Sequence, residues 1–398
     1  MNRLDPERID AQMREESARS GLPPGIAGLP EIPAARYTDA GFHELDMAAL
    51  RRSWLYGIHG DELPAAGSVR RWERLGQSLI FVRGSDHVVR CFHNVCRHRG
   101  SALVHDDGGE KRKLTCPIHG WSYELDGRLS GVRERRDFDP TDLDGRNLIE
   151  VRCEAIGQLY FINLDANAMP LREDLGAIAE AWDQYAPQDS RLVRRVLLRV
   201  KANYKLVQEA NMEVYHVNTV HPAIVNSLLD SNAAPMTLHR HGHSIQTSRL
   251  RKADWTDSEI CLPRVAAVDR ISKLANVALH MFPNRIIAMN DWGYPMQSYW
   301  PLDARNTEVE VIWIAPRQTD PAHTPLWDEI IRTFSTVLEQ DFEFLPRTQQ
   351  ALDSGALSGL LIGWQERAIY HAQQELDRRI GAANIPAALR VPPVLDSV

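Results

Sequence analysis

The sequence predicts an α+β protein in two domains, and three observations carry that reading. The chain of 398 residues exceeds what one hydrophobic core ordinarily organises. From about Leu50 to Asp165 it reads as short apolar runs broken by turn residues, the pattern of a small all-β domain. Beyond that, longer strand-like runs lead into two amphipathic segments, the pattern of a larger antiparallel sheet flanked by helices. The expected divisions are an N-terminal arm over 1–49 packed on the second domain, a β domain over 50–165 and an α+β domain over 166–398.

Each element has a local reason. The start, "MNRLDPERIDAQMREESARS", is charged, and the Pro/Gly-rich "GLPPGIAGLPEIP" after it predicts an extended arm. "SLIFVRG", "HVVRCFHN" and "LYFINLD" are β-branched and aromatic runs between turn signals. "RLVRRVLLRVKANYKLV" (191–207) begins as a strand and runs toward a helical segment; "SIQTSRL", "NRIIAMN", "QSYW" and "EVEVIWIAP" predict the larger sheet. "LWDEIIRTFSTVLEQDFEFLPRTQQAL" and "WQERAIYHAQQELDRRIG" predict helices, with Gly381 as a stop for the second.

Composition excludes several functions. Net charge is −7 with no strongly basic block beyond the short "EKRKL", which argues against a nucleic-acid partner. No run approaches the 18 apolar residues of a membrane span, and the N-terminus lacks an apolar signal core, so a cytoplasmic location is expected. Five cysteines (Cys91, Cys96, Cys116, Cys153, Cys261) make an odd set, which favours metal ligation over disulfides for a well-spaced pair.

Cys96-Arg97-His98 is followed, after 17 intervening residues, by Cys116-Pro117-Ile118-His119. The turn-rich "DDGGEKRK" between them lets two ligand-bearing loops approach. A Cys₂His₂ zinc site is the plain alternative, but each half here pairs one thiolate with one imidazole. "CRHRG" and "CPIHGW" resemble the ligand loops of a Rieske [2Fe–2S] domain, in which two cysteines hold one iron and two histidines the other. Neutral imidazoles in place of thiolates make such a cluster easier to reduce. Cys91 and His93 fall outside the pattern and read as strand residues.

A second cluster lies in "EANMEVYHVNTVHP" (209–222), where His216 and His221 stand five apart. On an ideal helix that spacing turns through about 140°, so the pair converges only if the helix breaks, and Pro222 disfavours helical geometry at His221. Two histidines and a carboxylate form the facial triad of non-haem Fe(II) oxygenases. With the Rieske loops upstream, nearly the whole chain resembles the α subunits of Rieske oxygenases. That resemblance implies a mononuclear Fe(II) held by His216, His221 and an Asp in a late helix. In "VLEQDFEFLPRTQQAL" the matching residue is Asp341, with Gln349 and Gln350 downstream and Glu339 and Glu343 as rival carboxylates. It also implies that Glu213, three residues before His216 and thus beside it on the same helix, bridges this site to a Rieske histidine of a neighbouring subunit.

The implied activity is that of the oxygenase component of a multicomponent system. An NAD(P)H-dependent reductase, directly or through a ferredoxin, supplies electrons for O₂ and a small-molecule substrate, and the assembly is a homotrimer or built on one. Hydroxylation or O-demethylation of an aromatic acid ranks first. The alternative is a monooxygenase for a quaternary ammonium compound, favoured by Glu213 and opposed by Ala210 and Val217, which replace two habitual residues of that group. A Rieske electron carrier without oxygenase activity is the alternative of another class. Trp292, Tyr294, Tyr299 and Trp300 are candidates for a cation cage, and Arg240, Arg249 and Arg285 for a substrate carboxylate. Tyr215 is a candidate lining residue. "LHRHGHS" (His239, His241, His243) alternates as an exposed strand would, with a second metal site as the sharper alternative.

Overall fold

The computed structural model describes residues 3–106, 108–251 and 261–398. The chain divides into two units, Arg51–Leu171 and Met1–Leu50 with Arg172–Val398. The smaller unit holds a six-stranded antiparallel sheet in the order Leu55–His59, Leu159–Asn163, Glu150–Ile156, Val89–His93, Gln77–Arg83, Val69–Arg74. A second sheet joins Leu114–Thr115, Ser122–Tyr123 and Leu129–Gly131. Val69, Ile80, Val82, Phe92, Leu114 and Tyr123 form its core together with Cys96 and Cys116, so the two thiols sit among packed side chains rather than on the surface.

The larger unit is built on an eight-stranded antiparallel sheet. Its main path runs Ser190–Val200, Asn306–Pro316, Tyr294–Asp303, Arg285–Met289, Ala275–Met281, Ser244–Leu250 and Leu229–Asp230, and Met236–Leu238 also pairs with Ser244–Leu250. Alternate residues Val309, Val311, Trp313 and Ala315 of one strand join Trp327, Ile330, Ile331, Leu338 and Phe342 of the helix Thr324–Asp353 in one core. The spacing of three and four along that helix makes one face apolar. Asp341 and Gln349 lie on that buried face, a polar pair where the pattern alone calls for apolar residues.

The N-terminal segment departs from the extended arm read from composition: it carries helices Pro6–Ala18 and Ala40–Arg51. Asp5 accepts the Arg8 N–H at 2.9 Å as an N-cap and Pro6 stands in the first turn. Ile9 and Met13, four apart, are the buried stripe. The Pro/Gly-rich stretch between the helices is irregular until Ile32–Pro33 pairs with Gly359–Leu360. No described helix is long and apolar enough to cross a membrane.

A buried ionic network joins this segment to the helix Tyr204–Glu209, which leads into the histidine-bearing segment. Lys205 pairs with Asp46, and its ammonium lies 5.0–5.6 Å from the ring centres of Tyr37, Phe42 and Tyr204. Burial raises the Asp46 pKa and lowers that of Lys205, so desolvation outweighs their attraction at both ends. Arg36 pairs with Asp377 at 2.6 Å. Glu209 accepts from Tyr37 Oη at 2.9 Å and from Gln373 Nε2 at 2.7 Å. Burial lifts Glu209 from 4.5 to about 7 against those bonds and the charges of Lys205 and Arg36. The folded chain therefore keeps this proton to higher pH than the unfolded chain. Stability should fall as pH rises from about 4.5 to 7 and level off above, by about 3 kcal/mol. Glu209→Gln should flatten the pH dependence of the guanidinium midpoint over that range; an unchanged slope would contradict the assignment.

Candidate metal centres

The two loops of the smaller unit are built alike. Cys96 N–H donates to Ser101 O at 2.7 Å and Gly100 N–H to Cys96 O at 3.0 Å. Cys116 N–H donates to Trp121 O at 2.8 Å and Gly120 N–H to Cys116 O at 3.0 Å. Gly100 (φ 79°) and Gly120 (φ 72°) occupy the same left-handed position in each loop, where a side chain is strained. Asn94 pins the first loop, its Oδ1 accepting from Leu103 and Val104 N–H at 2.9 and 3.0 Å.

Four donors converge on this frame. Cys96 and Cys116 are each 2% exposed and their thiols are hydrogen-bond neighbours, while His98 and His119 are partly exposed with rings 4.7 Å apart. Trp121 stacks on His98 at 4.9 Å. His98 Nδ1 is buried without a hydrogen-bond partner, an unmet group that a metal ion would satisfy. Buried sulfurs and outward imidazoles fit a [2Fe–2S] cluster whose histidine-held iron faces outward. Tyr123 went unsingled in the sequence. Its Oη lies 3.5 Å from Cys96 Sγ and accepts Arg97 N–H at 3.0 Å. Cys91 and His93 sit in the strand Val89–His93.

The second site lies in the larger unit. The helix Tyr204–Glu209 is capped by Asn203, whose own N–H donates to Gln349 Oε1 at 2.8 Å, tying the segment to the helix that carries Asp341. One turn of helix, Val217–Val220, separates the histidines: His216 precedes it, and His221 ends it at φ −121°, ψ 49°. Glu213 is therefore not on a helix with His216. Its carboxylate folds back to accept the N–H of Tyr215 and, at 3.1 Å, that of His216, and it also bonds His216 Nδ1.

His216, His221 and Asp341 bring ligand atoms within 4.8 Å of one another, the one such group of three among the described residues. Asp341 Oδ1 lies 2.7 Å from His221 Nε2 and 3.4 Å from His216 Nε2. Each Nδ1 is engaged elsewhere, on Glu213 and, at 2.8 Å, on Gln340 Oε1. Burial disfavours the imidazolium at both histidines. The Glu213 contact at His216 and the Asp341 contact at His221 outweigh it, and both pKa values rise. The carboxylates thus draw positive charge to this point, which a divalent cation supplies. Two imidazoles and one carboxylate fit Fe(II) with positions left open. Glu339 and Glu343, the rivals, point to solvent.

Other candidates lie elsewhere. Trp292, Tyr294, Tyr299 and Trp300 are all buried. Tyr294 accepts from Trp182 Nε1 at 2.9 Å, Tyr299 donates to Gln297 at 2.6 Å and Trp300 to Glu310 at 2.9 Å, so these three behave as core rings with satisfied polar ends. Arg249 bonds Asp10 at 3.2 Å, Arg285 is buried with Nε 3.3 Å from Ser298 Oγ, and Arg240 is exposed. "LHRHGHS" is a tight turn over Arg240–Gly242 rather than a strand. His241 is left-handed (φ 64°), and His243, fully buried, accepts Phe282 N–H at 3.0 Å. Tyr215 is 68% exposed. Gln340 carries no spacing signal and becomes visible only once the helix is docked, whereas Gln349, expected downstream of Asp341, ties that helix to Asn203.

A model of the Rieske [2Fe–2S] domain matches residues 53–142, and one of the ring-hydroxylating α-subunit catalytic domain matches residues 173–382. The carnitine monooxygenase oxygenase subunit of Escherichia coli K12 is 34% identical over 214 residues, 52% of this chain and 57% of that protein. The glycine betaine monooxygenase oxygenase subunit of Chromohalobacter salexigens is 26% identical over 362 residues, 82% of this chain and 80% of that one. The chain thus spans little more than half the length of the first of these relatives. Among solved structures, a quaternary ammonium Rieske monooxygenase (TM-score 0.74, 22% identity) covers 92% of this chain, and all of that one is matched. Naphthalene 1,2-dioxygenase (TM-score 0.68, 21% identity) covers 91%, with 97% of that chain matched.

Cys116→Ala should abolish the visible absorbance and acid-labile sulfide of the purified protein. Tyr123→Phe should keep both and lower the reduction potential, because a hydrogen bond to a ligand sulfur favours the reduced, more negative cluster. Loss of about 1.4 kcal/mol corresponds to roughly 60 mV for one electron. Voltammetry checks the shift; an unchanged or higher potential would contradict it.

Proposed function

The chain belongs to the ring-hydroxylating α-subunit family with an N-terminal Rieske domain, and on that premise we propose that it is the oxygenase component of a system acting on a quaternary ammonium compound. A mononuclear iron held there would supply O₂ activation, and a Rieske cluster would supply single electrons. In this reading Cys96, His98, Cys116 and His119 hold the cluster and His216, His221 and Asp341 the mononuclear iron. Glu213 and Gln340 orient the two imidazoles. Electrons come from a separate NAD(P)H-dependent reductase.

The observation that carries the substrate class is the similarity to carnitine and glycine betaine monooxygenase subunits, the second over most of the chain. The ranking that put an aromatic acid first gives way to its alternative on that finding. Site charge agrees. Glu366, half-buried, has its pKa raised by burial and then by the charge of Glu213. Among the described residues no lysine or arginine pairs with Glu213, Asp341 or Glu366. Three carboxylates gathered here suit a cationic substrate head better than a carboxylate, with Arg19 the one arginine lining the adjoining groove among the described residues. The aromatic reading keeps one support, 30% identity over 179 residues to the α subunit of 2-aminobenzenesulfonate 2,3-dioxygenase from Alcaligenes.

The partner on the oxygenase side is a second copy of the chain. Tyr215, Leu361 (78% exposed) and Leu22 line an open groove with Trp364 and Glu366 beside the segment that carries His216. Apolar exposure of that kind marks a surface that is covered in the working protein. A neighbouring subunit bringing its cluster to Glu213 gives that groove an occupant and makes the trimer the active unit.

Chemically reduced, iron-loaded protein given O₂ and a mixture of betaines and aromatic acids should convert a betaine in a single turnover, read by mass spectrometry. Conversion of an aromatic acid alone would overturn the substrate class. Cys116→Ala and Asp341→Ala chains are each expected to be inactive, and their co-expression should restore turnover through mixed oligomers. Mixed oligomers without activity would contradict electron passage between subunits.

A further inference from the structure

His221 touches the long helix at two consecutive residues, with Nδ1 2.8 Å from Gln340 Oε1 and Nε2 2.7 Å from Asp341 Oδ1. Consecutive helical residues point about 100° apart. One imidazole that meets both must lie across the helix edge, held at each nitrogen. The His221 side chain is 1% exposed, so water does not compete for either position. An amide oxygen only accepts, which places the proton of a neutral imidazole on Nδ1 and leaves the Nε2 lone pair directed toward Asp341. The opposite tautomer would carry a proton on Nε2, where a metal ion needs an electron pair.

The two histidines are served unequally. His216 Nδ1 is held by a carboxylate of its own segment, Glu213. His221 Nδ1 is held by a neutral amide from another element. With Glu213, Asp341 and Glu366 already gathered here, a carboxylate at position 340 would add a fourth negative group. A glutamine gives the same acceptor geometry without that repulsion.

Resting on the iron-site reading above, we infer that Gln340 is a positioning residue for that site: its amide oxygen selects the metal-binding tautomer and ring orientation of His221 without adding charge. It acts through His221 and touches neither iron nor substrate. The adjacent pair Gln340-Asp341 supplies the third ligand and the support of the second from one turn of helix, so any shift of the helix moves both together.

The test uses cluster-loaded protein with the cluster oxidised and Co(II) in place of the mononuclear iron. Proton NMR of the wild type should show two strongly shifted, solvent-exchangeable N–H signals, one from each liganding imidazole. Gln340→Leu should lose one of them from its wild-type position, the N–H having no acceptor, and bind Co(II) about 10–100-fold more weakly, with the visible spectrum of the cluster unchanged. Gln340→Glu, which keeps an acceptor, should retain both signals. If Gln340→Leu does not accumulate, Gln340→Asn, too short to reach the ring, reads out the same loss. Two unaltered signals with wild-type Co(II) affinity in Gln340→Leu or Gln340→Asn would overturn the inference alone. A wild type that binds no Co(II) would overturn the iron-site reading with it.

Discussion

The structure depends on two imidazoles that bring their Nε2 atoms to one carboxylate oxygen. A histidine ligates only through a nitrogen free of its proton, and that proton must be parked on an acceptor at the other nitrogen. Here the acceptors are Glu213 and Gln340, and the point of convergence is Asp341 Oδ1. Three of these residues belong to one short segment and two to one long helix, so the site exists only where those elements are docked in register. The buried ties around them serve that docking: Asn203 to Gln349, Tyr37 and Gln373 to Glu209, Lys205 to Asp46.

The ionic part of this framework is costly by itself. Burial pushes Glu209 and Asp46 upward and Lys205 downward. A well-packed apolar replacement would satisfy stability as well or better. What an ionic network adds is register, since each charge accepts few partners. Through Asp46 the helix Ala40–Arg51 is thereby tied to the larger unit, although the smaller unit separates the two in sequence.

Much of the site is legible in the sequence. The loops Cys96–His98 and Cys116–His119 were readable because ligand spacing is a local property. The His216–His221 spacing announced a broken helix, and Pro222 said where; the one-turn helix between the histidines is the result. Glu213 was placed correctly beside His216 for the wrong reason, since a folded-back side chain and not helical periodicity brings it there. The extended arm failed because composition averaged over the Asp5 cap and the Ile9/Met13 stripe, which are too short to stand out. "LHRHGHS" failed because alternation of polar residues reads alike in a strand and in a turn with one left-handed residue. Gln340 and Tyr123 were invisible: both act across long sequence separations through one atom, which leaves no pattern in a single sequence. The substrate class was legible least, since it lives in the sum of side chains from many elements.

In the proposed function His216, His221 and Asp341 hold an iron separate from the cluster. The most direct measurement is iron and acid-labile sulfide content together with single-turnover product in wild type and Asp341→Ala. The prediction is that the wild type carries iron beyond what its sulfide accounts for, and that the substitution removes only that excess and the product while the cluster spectrum stays intact. Excess iron and product that both survive Asp341→Ala would contradict it.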